Sequence, residues 1–397
     1  MLNTTFAPWP NFTDDEVDAV ASVMRSNKVN YWTGQEGRTF EREFAAWAGS
    51  RHGIALANGT LALDLALHGL GIGSVNGGSA TDEVVVTPRS FIASVSCVIN
   101  AGAVPVFADV DRDSGNISVE TITPVLTKRT RAILPVHLAG WPCDMPAIMT
   151  LASSRGLRVI EDCAQAHGAR IDGKPVGSFG NVGAWSFCQD KIMTTGGEGG
   201  LVTCEDPELW SRMWSFKDHG KSFDAVHNRQ HAPGFRWVHE SIGTNWSMLE
   251  MQSVIGRKQL GCMPAWHVAR KQNAERIWAA AARHPACRVP VVPAGFEHAC
   301  YKAYIYVEPE KLKLGWSRDR IVEAINGHGV PCYHGGCSEI YLEKAFDNSL
   351  SRPLQRLTVA RELGDTSIMF LVHPTLTNEN IARTETAIDA VFGEASA

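Results

Sequence analysis

The chain of 397 residues, 44% hydrophobic and 20% charged, has the composition of an ordinary globular protein with room for more than one core. A formal net charge of −5 excludes the strongly basic surface by which proteins bind nucleic acid or an anionic membrane. No stretch of eighteen apolar residues occurs, and the amino terminus lacks a basic segment followed by an apolar core, so we expect a cytoplasmic protein without membrane span or signal peptide.

The first predicted elements are two helices. Thr13 and Glu16 form a capping-box pattern that predicts a helix start, and a second, amphipathic helix follows. Between the helices, Tyr31, Trp32 and Thr33 lie in a loop from which they could contact a sugar or a nucleotide. Packing of the two aromatic side chains within the loop is an equally good interpretation.

Strands and helices alternate from residue 54 onward. The strands at residues 54–57 and 82–87 are each followed by a helical pattern, and two β-branched strands, AVPVFADV and RAILPVHL, come after them. This alternation predicts an α/β fold with a mainly parallel sheet covered on both faces. His137 lies on the last of these strands, and we expect a structural role because a lone strand histidine is more often hydrogen-bonded than catalytic.

The helix after residues 54–57 opens with Asn58, Gly59 and Thr60. Amides at a helix start offer hydrogen-bond donors and a positive dipole end to a phosphate. From these residues alone, capping of the helix by Asn58 is the simpler explanation.

Residues 157–200, LRVIEDCAQAHGARIDGKPVGSFGNVGAWSFCQDKIMTTGGEGG, are the most informative stretch. An apolar run ends at Glu161 and Asp162, and ligands bind at the carboxyl ends of strands in an open α/β sheet. A second apolar run contains Ser186 and is followed by Lys191 and a glycine cluster, where backbone can approach a ligand closely. A lysine in such a pocket can be a Schiff-base nucleophile. We interpret the stretch as the floor of a cofactor site.

Pyridoxal phosphate requires this set of groups. It needs a lysine for its aldehyde, a carboxylate that keeps the pyridine nitrogen protonated, and donors for its phosphate. Lys191, Asp162, Ser186 and the helix start at Gly59 could supply them.

The motifs EDCAQAHGA and SFCQDKIMTTGGEGG resemble those of the sugar aminotransferases of the DegT/DnrJ/EryC/StrS group, which are fold-type-I pyridoxal phosphate enzymes. The likeness continues through ALANGTLALDLAL, DEVVVTPRSFIAS, AILPVHLAGWPCDM, FKDHGKS and GTNWSMLEMQSVIGRKQL, and so spans nearly the whole chain. It implies a large domain with a mainly parallel sheet covered by helices, plus a smaller C-terminal α+β domain. We place these domains at residues 1–262 and 263–397, with one helix ending near Gly261 and another spanning about residues 266–282.

The resemblance also implies roles for individual residues. Lys191 would be the catalytic residue that holds pyridoxal 5'-phosphate and moves the proton, and Gly59 and Thr60 would cradle the phosphate. Phe91 would lie over the cofactor ring, with core packing as its alternative. Gln165 would contact the ring or its oxygen, with surface turn polarity as its alternative.

Residues 217–245 are polar and show little periodicity, and a long irregular segment inside a globular enzyme is usually functional. In the family the matching segment reaches the neighbouring subunit's active site, which implies a homodimer with active sites at the interface. Asn245 matches the asparagine that touches the phosphate across that interface. Family members commonly carry an arginine two residues further on, where this chain has Ser247, and Arg236 is a candidate to replace it.

Cys332, His334 and Cys337 lie close together in sequence, but no second pair of ligands accompanies them, so we predict no metal site. The ten cysteines form no C-x-x-C pair and are expected to be mostly buried, small apolar side chains. His334 could instead approach the sugar from the small domain.

The resemblance implies transfer of an amino group from L-glutamate to a nucleotide-linked keto sugar. It favours C4 of a UDP-4-keto-6-deoxy-N-acetylhexosamine, for bacterial surface glycans of the O-antigen or bacillosamine type. Amination at C3, or perosamine-type amination at C4 of a dTDP- or GDP-keto sugar, is the alternative. A dehydratase of the same family would carry histidine in place of Lys191, and a non-catalytic regulatory or binding protein would be expected to have lost Lys191 or Asp162.

Overall fold

The computed structural model describes residues 6–347, residue 349 and residues 351–397. The α-helices of this part of the chain are α1 (Asp14–Ser26), α2 (Glu36–Trp47), α3 (Gly59–Leu70), α4 (Ala93–Asn100), α5 (Val119–Ile122), α6 (Met145–Arg155), α7 (Pro207–Lys217), α8 (Phe223–His227), α9 (Glu250–Ala281), α10 (Arg318–Gly327), α11 (Thr358–Thr366) and α12 (Asn378–Ala395). The strands are β1 (His52–Leu56), β2 (Glu83–Val86), β3 (Val104–Phe107), β4 (Thr130–Leu134), β5 (Arg158–Asp162), β6 (Arg170–Ile171), β7 (Lys174–Pro175), β8 (Val182–Ser186), β9 (Gly200–Cys204), β10 (Cys287–Arg288), β11 (Phe296–Glu297), β12 (Ala303–Val307), β13 (Cys332–Tyr333) and β14 (Ser367–Phe370).

The largest sheet has seven strands in the order β1-β9-β8-β5-β4-β2-β3. The pairs from β8 to β3 are parallel, whereas β9 is antiparallel to both of its neighbours. The predicted mainly parallel sheet is therefore confirmed. Because β5 and β8 are adjacent and parallel, Asp162 and Ser186, at their carboxyl ends, lie at the same edge of the sheet.

Helices cover both faces of this sheet, as alternate residues of one strand show. Val84 and Val86 of β2 pack in a cluster with Leu63 of α3. Val85, between them, belongs to a different cluster with Ile148 of α6. Side chains alternate across a strand, so these two clusters lie on opposite faces of the sheet.

A second, antiparallel sheet of four strands lies in the C-terminal part, in the order β10-β12-β14-β13. Its buried face packs with α10 and α12 through Ile305, Ile325 and Phe392. A small three-stranded sheet, β11-β6-β7, completes the strand pairing of the described residues.

The two predicted helices around residue 262 form one continuous helix, α9, with Pro264 inside it. The separate helices were therefore a wrong prediction, although Gly261 and Pro264 are ordinary signals for a break. Buried residues on both sides of the proline, Met263 and Ile277 among them, hold the helix in one piece through tertiary packing. The domain division at residue 262 stays a prediction, and it would fall within this helix.

Two further predictions are confirmed. Thr13 and Glu16 form the capping box at the start of α1. Residues 217–245 are mostly irregular, with only the short helix α8 inside them. Within the described residues, no helix combines the length and the apolar character needed to cross a membrane.

Candidate active site

A cavity of about 1100 Å³ opens where the carboxyl edge of the large sheet faces the second sheet. Among the residues that the large sheet and its loops contribute to the lining, we call seven the floor: Gly59, Thr60, Phe91, Asp162, Gln165, Ser186 and Lys191. We call the residues from the C-terminal part the roof: Tyr301, Lys302, Tyr304, Tyr333, Gly335, Gly336, Met369 and Leu371. All seven floor residues were predicted from the sequence as cofactor contacts, and the fold brings them to one cavity.

Asp162 is almost completely buried at the end of β5. One carboxylate oxygen accepts a hydrogen bond from the Ser94 hydroxyl at 2.7 Å, and the other accepts one from the Ala164 amide at 3.1 Å. Burial raises the pKa of the Asp162 carboxyl, while these two donors and the Lys191 charge favour its ionised form. A cation bound beside Asp162 would offset the cost of burying this charge.

Lys191 follows β8 in a loop that is tied to distant parts of the chain. Its carbonyl accepts a hydrogen bond from the Trp9 indole at 2.8 Å. The amide of Thr194 donates to the Gln259 side chain on α9 at 2.8 Å. The Lys191 ammonium lines the cavity, 4.0 Å from Asp190. The loop is therefore fixed through its main chain, whereas the amine faces open space.

The start of α3 packs directly against the end of β8. Asn58 caps the helix by accepting a hydrogen bond from the Leu61 amide at 3.0 Å. A Cβ atom added to Gly59 would lie 2.5 Å from the Ser186 Cβ, so only glycine permits this approach. The amides of Gly59 and Thr60 belong to the first turn, where backbone N–H groups have no partner within the helix. Capping by Asn58 therefore leaves other amides of this first turn available to a ligand.

Phe91 and Gln165 complete the floor. Phe91 is 68% exposed and lines the cavity, which excludes core packing within this chain. The Gln165 side-chain oxygen accepts a hydrogen bond from the Ala139 amide at 2.8 Å, which fixes the side chain at the cavity wall. The alternative interpretation, in which Gln165 is only a polar residue of a surface turn, does not fit this position.

The floor fits pyridoxal phosphate by its own chemistry. Asp162 is a buried carboxylate that forms no ion pair within 4 Å among the described residues, so it is matched to a protonated pyridine nitrogen. The start of α3, where Gly59 lies close to Ser186, can bind a phosphate, and the Lys191 amine can react with an aldehyde. Each group that the cofactor requires has a residue on the floor.

The roof carries a cluster that the sequence prediction missed. Lys302 lies 3.9 Å from Asp190, and the Tyr301 hydroxyl donates a hydrogen bond to the same carboxylate. Burial alone would raise the pKa of Asp190, but Lys191, Tyr301 and Lys302 outweigh it and lower that pKa. The available signal was a lysine within the otherwise apolar strand pattern YKAYIYV, but that pattern does not show what the lysine faces.

Tyr31, Trp32 and Thr33, predicted as substrate contacts, do not line the cavity. Tyr31 is buried, and its hydroxyl donates to Glu41 at 3.0 Å, which fits the packing interpretation; its contact with substrate stays a prediction. The Trp32 indole donates to Asp218 at 3.3 Å, and the Thr33 hydroxyl bonds to Asn30.

Asn245 and His334 also lie outside the cavity lining of this chain. Asn245 bridges to Asp218 at the end of the irregular segment, and its side chain accepts a hydrogen bond from the Ser247 amide at 3.4 Å. His334 is exposed and lies 3.3 Å from Asp319. Their proposed contacts with phosphate and sugar stay predictions.

His137, Glu161 and Cys163 lie close enough together to be considered as a metal site. The Cys143 amide donates to His137 Nδ1 at 2.9 Å, so the other ring nitrogen carries the proton toward Glu161 at 3.2 Å. Glu161 also accepts hydrogen bonds from the amides of Gly177, Phe179 and Gly180. Histidine and carboxylate are thus already satisfied as hydrogen-bonded structure, as predicted for His137.

The described residues around Cys332 show no clustered ligands either. The buried Cys332 thiol donates to the Val322 carbonyl, whereas Cys337 is exposed.

Comparison with known proteins agrees with this geometry. The DegT/DnrJ/EryC1/StrS aminotransferase family model matches residues 10–389. UDP-N-acetyl-3-dehydro-alpha-D-glucosamine 3-aminotransferase of Acidithiobacillus ferrooxidans is 34% identical over 396 residues, which is 98% of this chain and 95% of that protein. GDP-perosamine synthase of Escherichia coli O157:H7 is 41% identical over 254 residues, 63% of this chain and 64% of that protein. The X-ray structure of an aminotransferase from Psychrobacter cryohalolentis is 58% identical, with a TM-score of 0.95 over 98% of this chain and 99% of that one.

These matches confirm the α/β fold of type I, the aminotransferase activity and the cofactor, pyridoxal 5'-phosphate, that the motifs predict. The family match spans the floor and the roof. This chain belongs to the DegT/DnrJ/EryC1/StrS aminotransferase family.

Proposed function

We propose that this aminotransferase moves the amino group of L-glutamate to C4 of a UDP-linked 4-keto-6-deoxy-N-acetylhexosamine, for a bacterial surface glycan of the O-antigen or bacillosamine type. The observation that carries the transamination is that Lys191 and Asp162 line the same cavity as the start of α3. A nucleotide-linked acceptor is supported by the relatives, whose names specify UDP- and GDP-linked sugars.

When bound, pyridoxal phosphate supplies an aldehyde that takes up the donor's amino group and a ring that delocalises negative charge. In our proposal Asp162 would orient the ring by accepting a hydrogen bond from its protonated nitrogen, and the amides of Gly59 and Thr60 would hold the phosphate. Lys191 Nζ holds the resting cofactor, and afterwards its free amine carries a proton between the two reacting carbon atoms. Phe91 covers the ring and reduces its contact with water.

Amination at C3 is the second candidate. The Acidithiobacillus ferrooxidans relative is named as a 3-aminotransferase and matches 98% of this chain. The floor does not discriminate between the positions, since every floor contact proposed here is with the cofactor. The sugar atom that is presented to the cofactor must depend on residues that contact the sugar.

A homodimer with active sites at the subunit interface, working in the cytoplasm, is part of the proposal. Phe235, Trp237 and Ile242, in the irregular segment 217–245, are each more than three-quarters exposed in the single chain. Such a group of apolar side chains favours association with another surface. A second copy of the chain would also place Asn245 where the resemblance implies, near the neighbouring phosphate.

The function is tested with purified protein in two steps. Addition of L-glutamate should change the visible absorbance of the bound cofactor, and mass spectrometry should then find an amino sugar from one member of a panel of UDP-, dTDP- and GDP-linked 3- and 4-keto sugars. If only a 3-keto sugar gives product, the position of amination is C3 and not C4. Absence of any spectral change with glutamate or other amino donors would remove the proposal, because a non-catalytic protein predicts that result.

A further inference from the structure

Lys302 is a roof residue whose amine has no hydrogen-bonding partner among the residues that the structure describes. It directly precedes β12, and its side chain is 14% exposed. No hydrogen bond joins its Nζ to any residue that the structure describes, and its nearest carboxylate oxygen, on Asp190, is 3.9 Å away. The pKa of Lys302 is lowered to about 8, chiefly by burial, with Asp190 opposing the shift and the Arg270 and Lys191 charges adding to it. The residue is a cation with three unused donors beside a cavity.

The charge around Lys302 is not balanced within the described chain. Asp190 lies about equally far from Lys191, at 4.0 Å, and from Lys302, at 3.9 Å, so one carboxylate serves two ammonium groups. Arg270 is almost completely buried nearby and donates to the Tyr301 carbonyl at 3.4 Å, not to a carboxylate. This corner of the cavity therefore has an excess of positive charge and favours an anion.

The position of Lys302 relative to Lys191 indicates which anion. The two ammonium nitrogens lie 4.7 Å and 5.3 Å from the centre of the same Tyr301 ring. Both ammonium groups therefore border the same ring, so a carboxylate bound at Lys302 could belong to an amino acid whose nitrogen reacts at Lys191. Among the described residues that line the cavity, Lys191 and Lys302 are the only cations, and Lys191 is already committed to the cofactor.

We propose that Lys302 binds a carboxylate of the amino donor, which makes the corner formed by Lys302, Tyr301 and Asp190 the donor-recognition site. The inference rests on the proposed function, since it takes the donor to be an amino dicarboxylate. A charge-assisted hydrogen bond from Lys302 to the donor adds to its affinity and orients its amine toward the floor.

The test compares four forms of the cofactor-loaded protein: the wild type, Lys302→Met, Lys302→Arg and the control Lys271→Met. The Lys271 side chain is 69% exposed on α9 and forms a surface ion pair with Glu275. Calorimetry measures binding of glutarate, a dicarboxylate without an amine, and binding of UDP. Stopped-flow absorbance measures the reaction of the cofactor with L-glutamate.

Lys302→Met should weaken glutarate binding and raise the glutamate concentration for half-maximal rate by about 10- to 100-fold, the size expected for a lost charged hydrogen bond. Lys302→Arg should keep most of the affinity, and Lys271→Met should match the wild type. Binding of UDP should not change in any form. Cofactor content and thermal midpoint establish that each variant is folded.

Three results would overturn the inference. The first is a glutarate affinity within twofold of wild type in Lys302→Met. The second is weakened UDP binding with normal glutarate binding, which would assign Lys302 to the substrate phosphates. The third is full recovery of donor affinity in the double variant Lys302→Met with Asp190→Asn, which would mean that Lys302 only offsets the Asp190 charge. In each of these cases the proposed function still stands if the wild type reacts with glutamate. If the wild type does not react with glutamate, the proposed function itself is wrong.

Discussion

The floor and the roof of the cavity are built differently. The floor presents groups at strand ends and at a helix start, and main-chain hydrogen bonds hold them, as at Ala164 and Ala139. The roof presents side chains at or beside a separate antiparallel sheet, and aromatic hydroxyl groups position them: the Tyr304 hydroxyl accepts a hydrogen bond from the Gly336 amide at 2.9 Å, and the Tyr301 hydroxyl donates to Asp190. The difference teaches that main-chain donors hold the floor side chains, whereas tyrosine hydroxyls hold the roof. In our proposal the floor binds the cofactor and the roof recognises the amino donor.

Lys191→Ala should have the largest effect and should abolish both half-reactions. The loss of proton transfer alone is expected to slow the reaction by about 10⁴-fold. Rates are measured by single-turnover absorbance, with Lys271→Ala as the control on an exposed face. If the alanine variant transaminates at the original rate, another residue is the base and the floor is wrongly assigned.

Asp162→Asn should slow both half-reactions equally, by roughly 100-fold or more. Asparagine cannot carry the charge that keeps the ring nitrogen protonated, and a charged hydrogen bond is lost. The separate rates with glutamate and with the keto sugar provide the measurement. Asp113→Asn, which alters a 73% exposed carboxylate paired with Arg288, should leave both rates unchanged. A defect confined to one half-reaction would contradict the division between floor and roof.

Gly59→Ala should weaken cofactor binding by about 5- to 100-fold, because the new Cβ displaces the start of α3 from Ser186. The cofactor dissociation constant is measured by titration of the apoenzyme. Gly261→Ala is the matched control, since no described residue outside its own helix backbone lies within 4 Å of its added Cβ and α9 gains a better helix former. Equal cofactor affinity in both variants would show that the α3 start does not hold the phosphate.

The pH dependence of glutarate binding should separate the roof from the floor. Its effect should be smaller than those of the floor substitutions above. The charged and titratable groups around Lys302 are Asp190, Lys191, Arg270, Tyr301 and His373. Lys302 is charged below its pKa of about 8 and neutral above it, so glutarate affinity should fall about tenfold between pH 7 and pH 9. The Lys302→Arg variant should lose little over this range, because arginine stays charged. A wild-type affinity that is flat with pH would assign the binding to another group.

The sequence identified the floor almost completely and the roof poorly, for a physical reason. Asp162, Ser186 and Lys191 lie within thirty residues of one another and follow apolar strands, so their common edge is predictable from parallel pairing. Lys302 and Lys191 are more than a hundred residues apart, and only the docking of one sheet against the other brings them to Tyr301.

Two other places show what local patterns leave open. The loop at Tyr31 allowed either ligand contact or packing, and only the fold brings the Tyr31 hydroxyl to the buried Glu41 carboxylate. The contact of His137 with Glu161 agrees with the predicted structural role, but the three amides that satisfy Glu161 come from a turn after β7 and could not be identified from the sequence.

The unbroken course of α9 has a practical consequence for protein engineering. A chimaera that joins the N-terminal part of this enzyme to the C-terminal part of a relative at residue 262 would splice two half-helices, and each half packs against its own neighbours through residues such as Met263 and Ile277. Grafting of donor specificity is better attempted by exchanging β12 and its flanking residues alone, which leaves the long helix intact.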